Sequence, residues 1–420
     1  MKKALAGAAC LVLLLTACTA FPNPFKQQNK PSFWEHRAVM TKTEIPVEAR
    51  DGEDTALYGL TTRGNFFMQK DDGGIPYIWN EPDARRVDLT PANIEAEELM
   101  RQFVEYSYAQ SGIEMSADVD LFDAYMRLDG ENRLTPRSIG MTFGGDYIAA
   151  QDRTGMTWMI DAETGKMYGG REHMYNSAYG DTLIAPGPVP SGQVFLLDKK
   201  TDKLTIKDYS RTQGFDSDQC VLEAASFLSD GSIAVVLRDM KMDLDTGEIC
   251  KLLIERPDGT RETYDLGRIR FTYEPEMIYS VDAQHILLTN YITVRKGWVY
   301  YIDCTTGAVS FLQYEEGQTA LEPYTSFLNE AGMVDFEPYG SSIMMILEAM
   351  ADGQTILLQD DDGRLVLLKP DTLECQFLLQ GGEVLSDPLM FNFTGNGYDR
   401  FCYRGEDRDR WEYYSLKTRE

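Results

Sequence analysis

From about residue 58 to the C-terminus, short apolar or aromatic runs alternate with turns rich in Gly, Asp and Asn, the pattern of many short antiparallel strands. The turns come in pairs, a first followed roughly 20 residues later by a second. The pairs are Arg63-Gly64 with Pro82-Asp83, Gly145-Asp146 with Glu163-Thr164-Gly165, and Gly180-Asp181 with Thr201-Asp202. Next come Asp230-Gly231 with Asp245-Thr246-Gly247 or the later Asp258-Gly259, and Asp282-Ala283 with Thr305-Thr306-Gly307. Asp352-Gly353 with Pro370-Asp371, and Asn396-Gly397 with Lys417-Thr418, bring the number of units to seven.

Between the turns the strands are apolar on both faces. Trp158-Met159-Ile160, Val299-Tyr300-Tyr301-Ile302 and Leu365-Val366-Leu367-Leu368 run continuously instead of alternating, as a sheet packed between two neighbours requires. Four-stranded antiparallel sheets stacked around an axis meet that requirement and leave only short edges. The expected fold is therefore all-β, a seven-bladed β-propeller.

The last unit supplies Met390-Phe391-Asn392-Phe393, Arg400-Phe401-Cys402-Tyr403 and Trp411-Glu412-Tyr413-Tyr414-Ser415-Leu416, one strand short of a four-stranded blade. Arg37-Ala38-Val39-Met40-Thr41-Lys42 is the strand expected to complete it, closing the ring by pairing residues 37–43 antiparallel with 411–416. One segment breaks the β pattern. Thr90-Pro91 offers a capping hydroxyl and a first-turn proline, and Ala96, Leu99, Met100, Phe103 and Ser107 then share one face. This predicts an amphipathic helical insertion over 91–111, ended by Gly112, that covers a propeller face or blade edge or serves as a lid or docking element. Residues 113–136 fit either a short helix, through Val119, Phe122 and Met126, or a hairpin at Tyr125–Gly130.

The front of the chain has a different character. Met1-Lys2-Lys3 is cationic, and Ala4 to Leu14 is apolar but too short to span a bilayer. Leu15-Thr16-Ala17-Cys18 then resembles the bacterial lipobox. That resemblance implies a lipoprotein signal peptide over 1–17, lipidation of Cys18 as the mature N-terminus, and attachment to the extracytoplasmic face of a cell membrane through the lipid. Residues 18–35, with Pro22, Pro24, Pro31, Gln27 and Gln28, read as a flexible tether, and 36–420 as the propeller domain. Two or more acyl chains would hold such a domain at a membrane, each buried methylene contributing about 0.8 kcal/mol.

The formal net charge is -27. Removing Lys2 and Lys3 with the leader would leave 38 basic against 67 acidic residues, or -29. Such a surface is repelled by phosphate backbones, so nucleic acid is excluded as a partner class. Of seven cysteines, Cys10 falls in the leader and Cys18 under lipid. Cys220, Cys250, Cys304, Cys375 and Cys402 remain, most of them beside strand-like runs and without zinc spacing. They read as buried small hydrophobes, with a Cys220–Cys250 disulfide as the open alternative.

Two repeat families are resembled. Met159-Ile160-Asp161-Ala162-Glu163-Thr164-Gly165-Lys166 and Tyr301-Ile302-Asp303-Cys304-Thr305-Thr306-Gly307 are similar to the hydrophobic-Asp-x-x-Thr-Gly turn of quinoprotein-like propellers. Phe227-Leu228-Ser229-Asp230-Gly231-Ser232-Ile233-Ala234 resembles the Ser-x-Asp-Gly turn of WD-like and TolB-type repeats. Tyr168 and Phe311 stand where quinoprotein repeats place a docking Trp, which argues against a bound quinone, and no cofactor is expected.

Catalytic motifs are missing from the sequence: no Gly-x-Ser-x-Gly elbow, Ser-x-x-Lys, His-Glu-x-x-His or Walker loop occurs. The three histidines, His36, His173 and His285, share no motif. Asp243–Glu248 and Gln359–Gly363 lack calcium-loop spacing, so no metal is expected. An acid/base carboxylate pair stays open, because it needs only proximity in space. The expectation is a protein- or peptide-binding scaffold module working at the mouth of the central channel. The alternative is a propeller enzyme or glycan-binding protein, of lyase or glycosidase type, with its site at the same mouth.

Overall fold

The computed structural model of the chain describes residues 37–52, 54–70, 74–116, 118–128, 134–137, 141–152, 154–169, 174–188, 190–241, 247–269, 277–280, 284–289 and 299–313. It further describes the strand segments 322–324, 345–349, 356–359, 365–369, 373–380, 383–384, 393–395, 400–404 and 411–418. The expected leader, Cys18 and the expected tether lie outside the described residues, as do His36, His173 and the acidic run 360–363. So do the turns Asp245-Thr246, Asp282-Ala283, Asp352-Gly353, Pro370-Asp371 and Asn396-Gly397.

The chain is all-β, built of largely antiparallel sheets with few helices. Sheet one is a meander of Thr55–Leu60, Phe66–Lys70, Tyr77–Asn80 and Arg85–Asp88. Sheet two orders Thr90–Pro91, Lys166–Tyr168, Thr157–Asp161, Tyr147–Gln151 and Thr135–Arg137. Sheet three orders Lys203–Asp208, Gln193–Asp198, Thr182–Pro186, Ser177–Tyr179 and Thr142–Phe143. Sheet four is the meander Cys220–Phe227, Ile233–Asp239, Glu248–Glu255, Arg261–Ile269. Sheet five runs Met277–Ser280, His285–Thr289, Val299–Asp303, Ala308–Gln313, Glu322–Tyr324.

The sixth sheet has nine strands, with Arg37–Lys42 in its interior. That strand runs parallel to Glu374–Gln380 and antiparallel to Trp411–Thr418, in the register Ala38 with Thr418 through Lys42 with Tyr414. The antiparallel pairing matches the sequence expectation. The parallel partner was not anticipated, because nothing in the Arg37–Lys42 pattern distinguishes a strand with one neighbour from a strand with two. Lys417-Thr418, read as a turn, belongs instead to the last strand, held there by Ala38 and Val39.

Sheets stack face to face, which is why their strands are apolar on both sides. Tyr147, Ala149 and Met159 of sheet two pack on Leu183, Phe195 and Leu197 of sheet three. Ile184 and Val194 pack on Leu222, Val235 and Leu237 of sheet four, and Val236 and Leu252 on Ile286, Leu288 and Ile302 of sheet five. Phe66 of sheet one meets Tyr413 of the sixth sheet edge-on at 5.2 Å. The first strands approach one another too: Cys220–Phe227 lies against Ser177–Tyr179 and Met277–Ser280, and Thr55–Leu60 against Thr135–Arg137 and Phe393–Gly395.

The Asp-x-x-Thr-Gly turns have a common cause. Asp161 Oδ1 accepts from the amides of Glu163 and Thr164 while Gly165 N–H returns to Asp161 O. Asp303, Thr305, Thr306 and Gly307 repeat it. Two further turns use the same device without its signature, since Asn80 replaces the Asp before Ala84, and Asp202 replaces the Gly after Asp198.

The helical insertion begins later than expected. Thr90–Pro91 is a short strand parallel to Lys166–Tyr168, and the helix runs Ile94–Gln110 with Asn93 as its cap. Thr90 and Ala92 donate their amides to Gly165 O and Met167 O. Pro91 sits between them at the one position that needs no donor, so the proline serves a strand instead of a helix start. The buried face is Ala96, Leu99, Met100 and Val104, with Phe103 half-buried. A second helix, Leu121–Met126 capped by Asp120, resolves the ambiguity at 113–136 in favour of helix.

Cys220 and Cys250 are free and buried, and Cys304 is free and half-buried. Cys220 pairs with Asp239 and Cys250 with Arg238, so a whole strand separates the two thiols. Two inter-strand spacings, about 9–10 Å, exceed the roughly 7 Å a disulfide can span. The alternative of a Cys220–Cys250 bridge is thereby corrected.

Candidate functional site

Several ionisable side chains are buried in the framework. Asp146 accepts from Asn65 Nδ2 at 2.6 Å, Arg63 N at 2.7 Å and Thr61 Oγ1 at 2.9 Å. Burial pushes its carboxyl up, and those three donors oppose the rise. It fastens a loop of sheet one to the start of a strand in sheet two.

Lys199 does the same between sheets two and three. Its Nζ lies 2.8 Å from Asp161 Oδ2 and 2.5 Å from the Tyr147 hydroxyl. Burial alone would depress the ammonium, but these two partners outweigh it and hold it above its ordinary value. Asp152 accepts from the Tyr125 hydroxyl, from Trp158 Nε1 at 2.8 Å and from Thr154 N at 2.8 Å, pinning the second helix to sheet two. Glu255 takes Lys207 and, at 2.8 Å, Arg261; burial would raise it, but the two cations pull it below its usual range. Every one of these carboxylates is saturated by groups of the framework.

Glu248 is different, since its Oε2 is buried with no hydrogen-bond partner, and burial raises its carboxyl against the field of Arg238. Arg238 is itself held by Glu223 at 2.8 Å. His285 stacks on Tyr301, with ring centroids 6.0 Å apart. Among the described residues, no three His, Cys, Asp or Glu side chains gather as a metal-binding group.

The exposed apolar side chains lie elsewhere. Ile94 is 81% exposed and Tyr106 67% on the long helix, and Leu204 is 37% and Ile206 53% exposed on the outer strand of sheet three. Asn93 Nδ2 donates to Asp202 Oδ1 at 2.7 Å, which brings the start of that helix against the turn leading into the outer strand. Tyr175, buried beside exposed Met174, is raised mainly by burial and secondarily by Glu95 and Asp202, one from each element. The helix start is thus in contact with the turn that leads into the outer strand.

The sequence offered the helix as a cover, a lid or a docking element and did not single out the strand. Its signal, Lys203-Leu204-Thr205-Ile206-Lys207, alternates as a half-exposed strand should, yet was absorbed into the run of buried strands around it.

No known protein family matches the chain, and no curated protein does. Among solved structures, the chain is similar to one in the crystal structure of a mitotic checkpoint complex, with a TM-score of 0.42 and 9% identity over 95% of this chain and 99% of that one. It is similar to the β-propeller domain of Cps50 (Swd1) from Myceliophteria thermophila, with a TM-score of 0.32 and 14% identity over 68% of this chain and 98% of that one. The WD40 domain of Pan2 from Neurospora crassa gives 0.31 and 11%, over 68% of this chain and 90% of that one.

Proposed function

We propose that the chain is a lipid-anchored, extracytoplasmic binding module: a seven-bladed propeller, WD-like in its turns, that presents a surface to protein or peptide partners. Dividing the nine-stranded sheet between Glu374–Gln380 and Arg37–Lys42 leaves one group of four strands and another of four with the two-residue Glu383–Val384 at its side, which with the other five sheets number seven. The approach of Thr55–Leu60 to Phe393–Gly395 and the pairing of Arg37–Lys42 with Trp411–Thr418 support closure of the ring. The lipobox-like Leu15-Thr16-Ala17-Cys18 supports attachment through Cys18.

One observation carries the binding reading. The carboxylates of Asp146, Asp152, Asp161 and Glu255 are spent on joining elements, whereas Ile94, Tyr106, Leu204 and Ile206 are left facing solvent on adjoining elements. Solvent-facing apolar side chains that adjoin mark interaction surfaces. The experiment has two arms. Metabolic labelling with an alkyne-bearing fatty acid should mark the wild-type chain and not Cys18→Ala. A photo-crosslinking amino acid at Ile94 or Tyr106 in the producing cell should give discrete adducts, and the same group at Asp258, whose exposed turn lies elsewhere, should give none. Unlabelled wild-type chain would remove the anchor, and equal adducts from Asp258 would remove the binding surface.

A further inference from the structure

The outer strand Lys203–Asp208 is hydrogen-bonded on one side only, to Gln193–Asp198, and forms the end of its sheet among the described residues. Its two faces differ. Leu204 and Ile206 stand opposite Leu197 and Phe195, whose side chains are buried against sheet two, so the apolar face of sheet three continues outward onto a strand that sheet two leaves partly uncovered. Lys203, Thr205 and Lys207 stand on the face that carries Val194, toward sheet four, where Lys207 is held by Glu255. Lys203 is exposed and has no ion-pair partner among the described residues.

Framework acids hold the other lysines of this region, Lys199 by Asp161, Lys200 by Asp181 and Lys207 by Glu255, which leaves Lys203 as the lysine of this strand with no such partner among the described residues. Free strand edges are ordinarily guarded by lysine, and Lys203, exposed and without an acid of its own, favours an acidic partner. We propose that Lys203–Asp208 is a docking edge that accepts an extended segment of a partner protein as an added strand. In that segment apolar residues alternate with acidic ones. The apolar positions cover Leu204 and Ile206, and an acidic position faces Lys203. Main-chain hydrogen bonds provide the binding and the alternation provides the selectivity. This rests on the reading of the chain as a protein-binding module and names where and what it binds.

The probe is a fluorescein-labelled peptide of alternating valine and glutamate, with two controls: a peptide of the same composition in which the valines and glutamates form separate blocks, and an alternating valine-lysine peptide. Binding to the full chain is read by anisotropy and by amide hydrogen exchange over residues 203–208. The alternating acidic peptide should bind and slow exchange in 203–208, while both controls bind at least about ten-fold more weakly. Leu204→Ser with Ile206→Ser should weaken binding about ten-fold, and Lys203→Glu about three-fold; both variants change exposed side chains, and unchanged melting will show that the fold is kept. Equal binding of the blocked peptide, or unchanged exchange in 203–208, would overturn the assignment. Adducts from Ile94 and Tyr106 that persist in that case would show that the docking edge fails while the binding-module reading stands.

Discussion

Asn65 Nδ2 donates to Asp146 Oδ2 across 2.6 Å and 81 residues of sequence, and this bond lies at the seam between sheets one and two. Thr62 reinforces it from both sides, its amide donating to Tyr147 O and its Oγ1 accepting from Tyr147 N. Asp146→Ala would leave the Thr61 and Asn65 donors buried and unpaired, and is expected to cost about 3 kcal/mol or more in urea unfolding.

The same residue sets a pH dependence of defined sign. Burial raises the Asp146 carboxyl above its ordinary 3.8, so the folded state keeps this proton to higher pH than the unfolded chain does. Its contribution is fully present below 3.8 and is lost as the pH rises through the folded value. Relative to Asp146→Asn, the wild type should therefore gain stability on acidification. Urea midpoints of both proteins over a descending pH series test this, and parallel curves would contradict it. Glu255, held low by Lys207 and Arg261, works in the other direction, its contribution fading as the pH falls below 4.5.

Tyr125→Phe removes one donor from Asp152 and nothing from the core that Tyr125 shares with Trp158 and Phe103. A loss of about 1–3 kcal/mol is expected. Hydrogen exchange should rise first in Leu121–Met126, because that helix has only six residues and Asp152 is its polar fastening to sheet two.

Two glycines with similar backbone angles should respond very differently to alanine. Gly165 has φ +73°, and a Cβ there would fall 2.0 Å from Asp88 O in the neighbouring sheet; Gly259 has φ +86° with open space around it. Gly259→Ala should cost about 1 kcal/mol, the strain of the left-handed backbone alone. Gly165→Ala should cost about 4 kcal/mol or more, because backbone must move. Thermal melts of the two variants separate the contributions.

Cys220 and Cys250 should remain unreactive toward thiol reagents until the protein unfolds, and both should then be labelled without any reductant. Failure of both to be labelled in the unfolded chain until reductant is added would mean the disulfide that the strand between Cys220 and Cys250 forbids.

The strand-and-turn rhythm was legible because Gly, Asp and Asn turns are local chemistry: Asp161 and Asp303 each bind the amides two and three residues on, whatever surrounds them. Helix existence was legible for the same reason, since Ala96, Leu99 and Met100 share a face at any address. Its start was not. Asn93 became the cap only because Gly165 O and Met167 O, distant in sequence, claimed the amides of Thr90 and Ala92. Asp146 was read as a turn residue, and nothing near it in sequence announces that Asn65 and Thr61 will bury it. The outer strand was not singled out for a related reason: Lys203-Leu204-Thr205-Ile206-Lys207 alternates, but strand order alone decides that Lys203–Asp208 ends its sheet with Leu204 and Ile206 exposed.

The strand Arg37–Lys42 has neighbours on both flanks, drawn from residues 374–380 and 411–418. A load entering through the leading end of the chain would run along this strand and strain both ladders at once in shear, instead of peeling an edge bond by bond. If that end is moored in a lipid, as proposed, the mooring line is attached to the interior of a sheet, and the domain can be tugged without unravelling from its first residue. The same geometry delays completion: translation must reach Trp411 before the earliest strand can acquire its second flank.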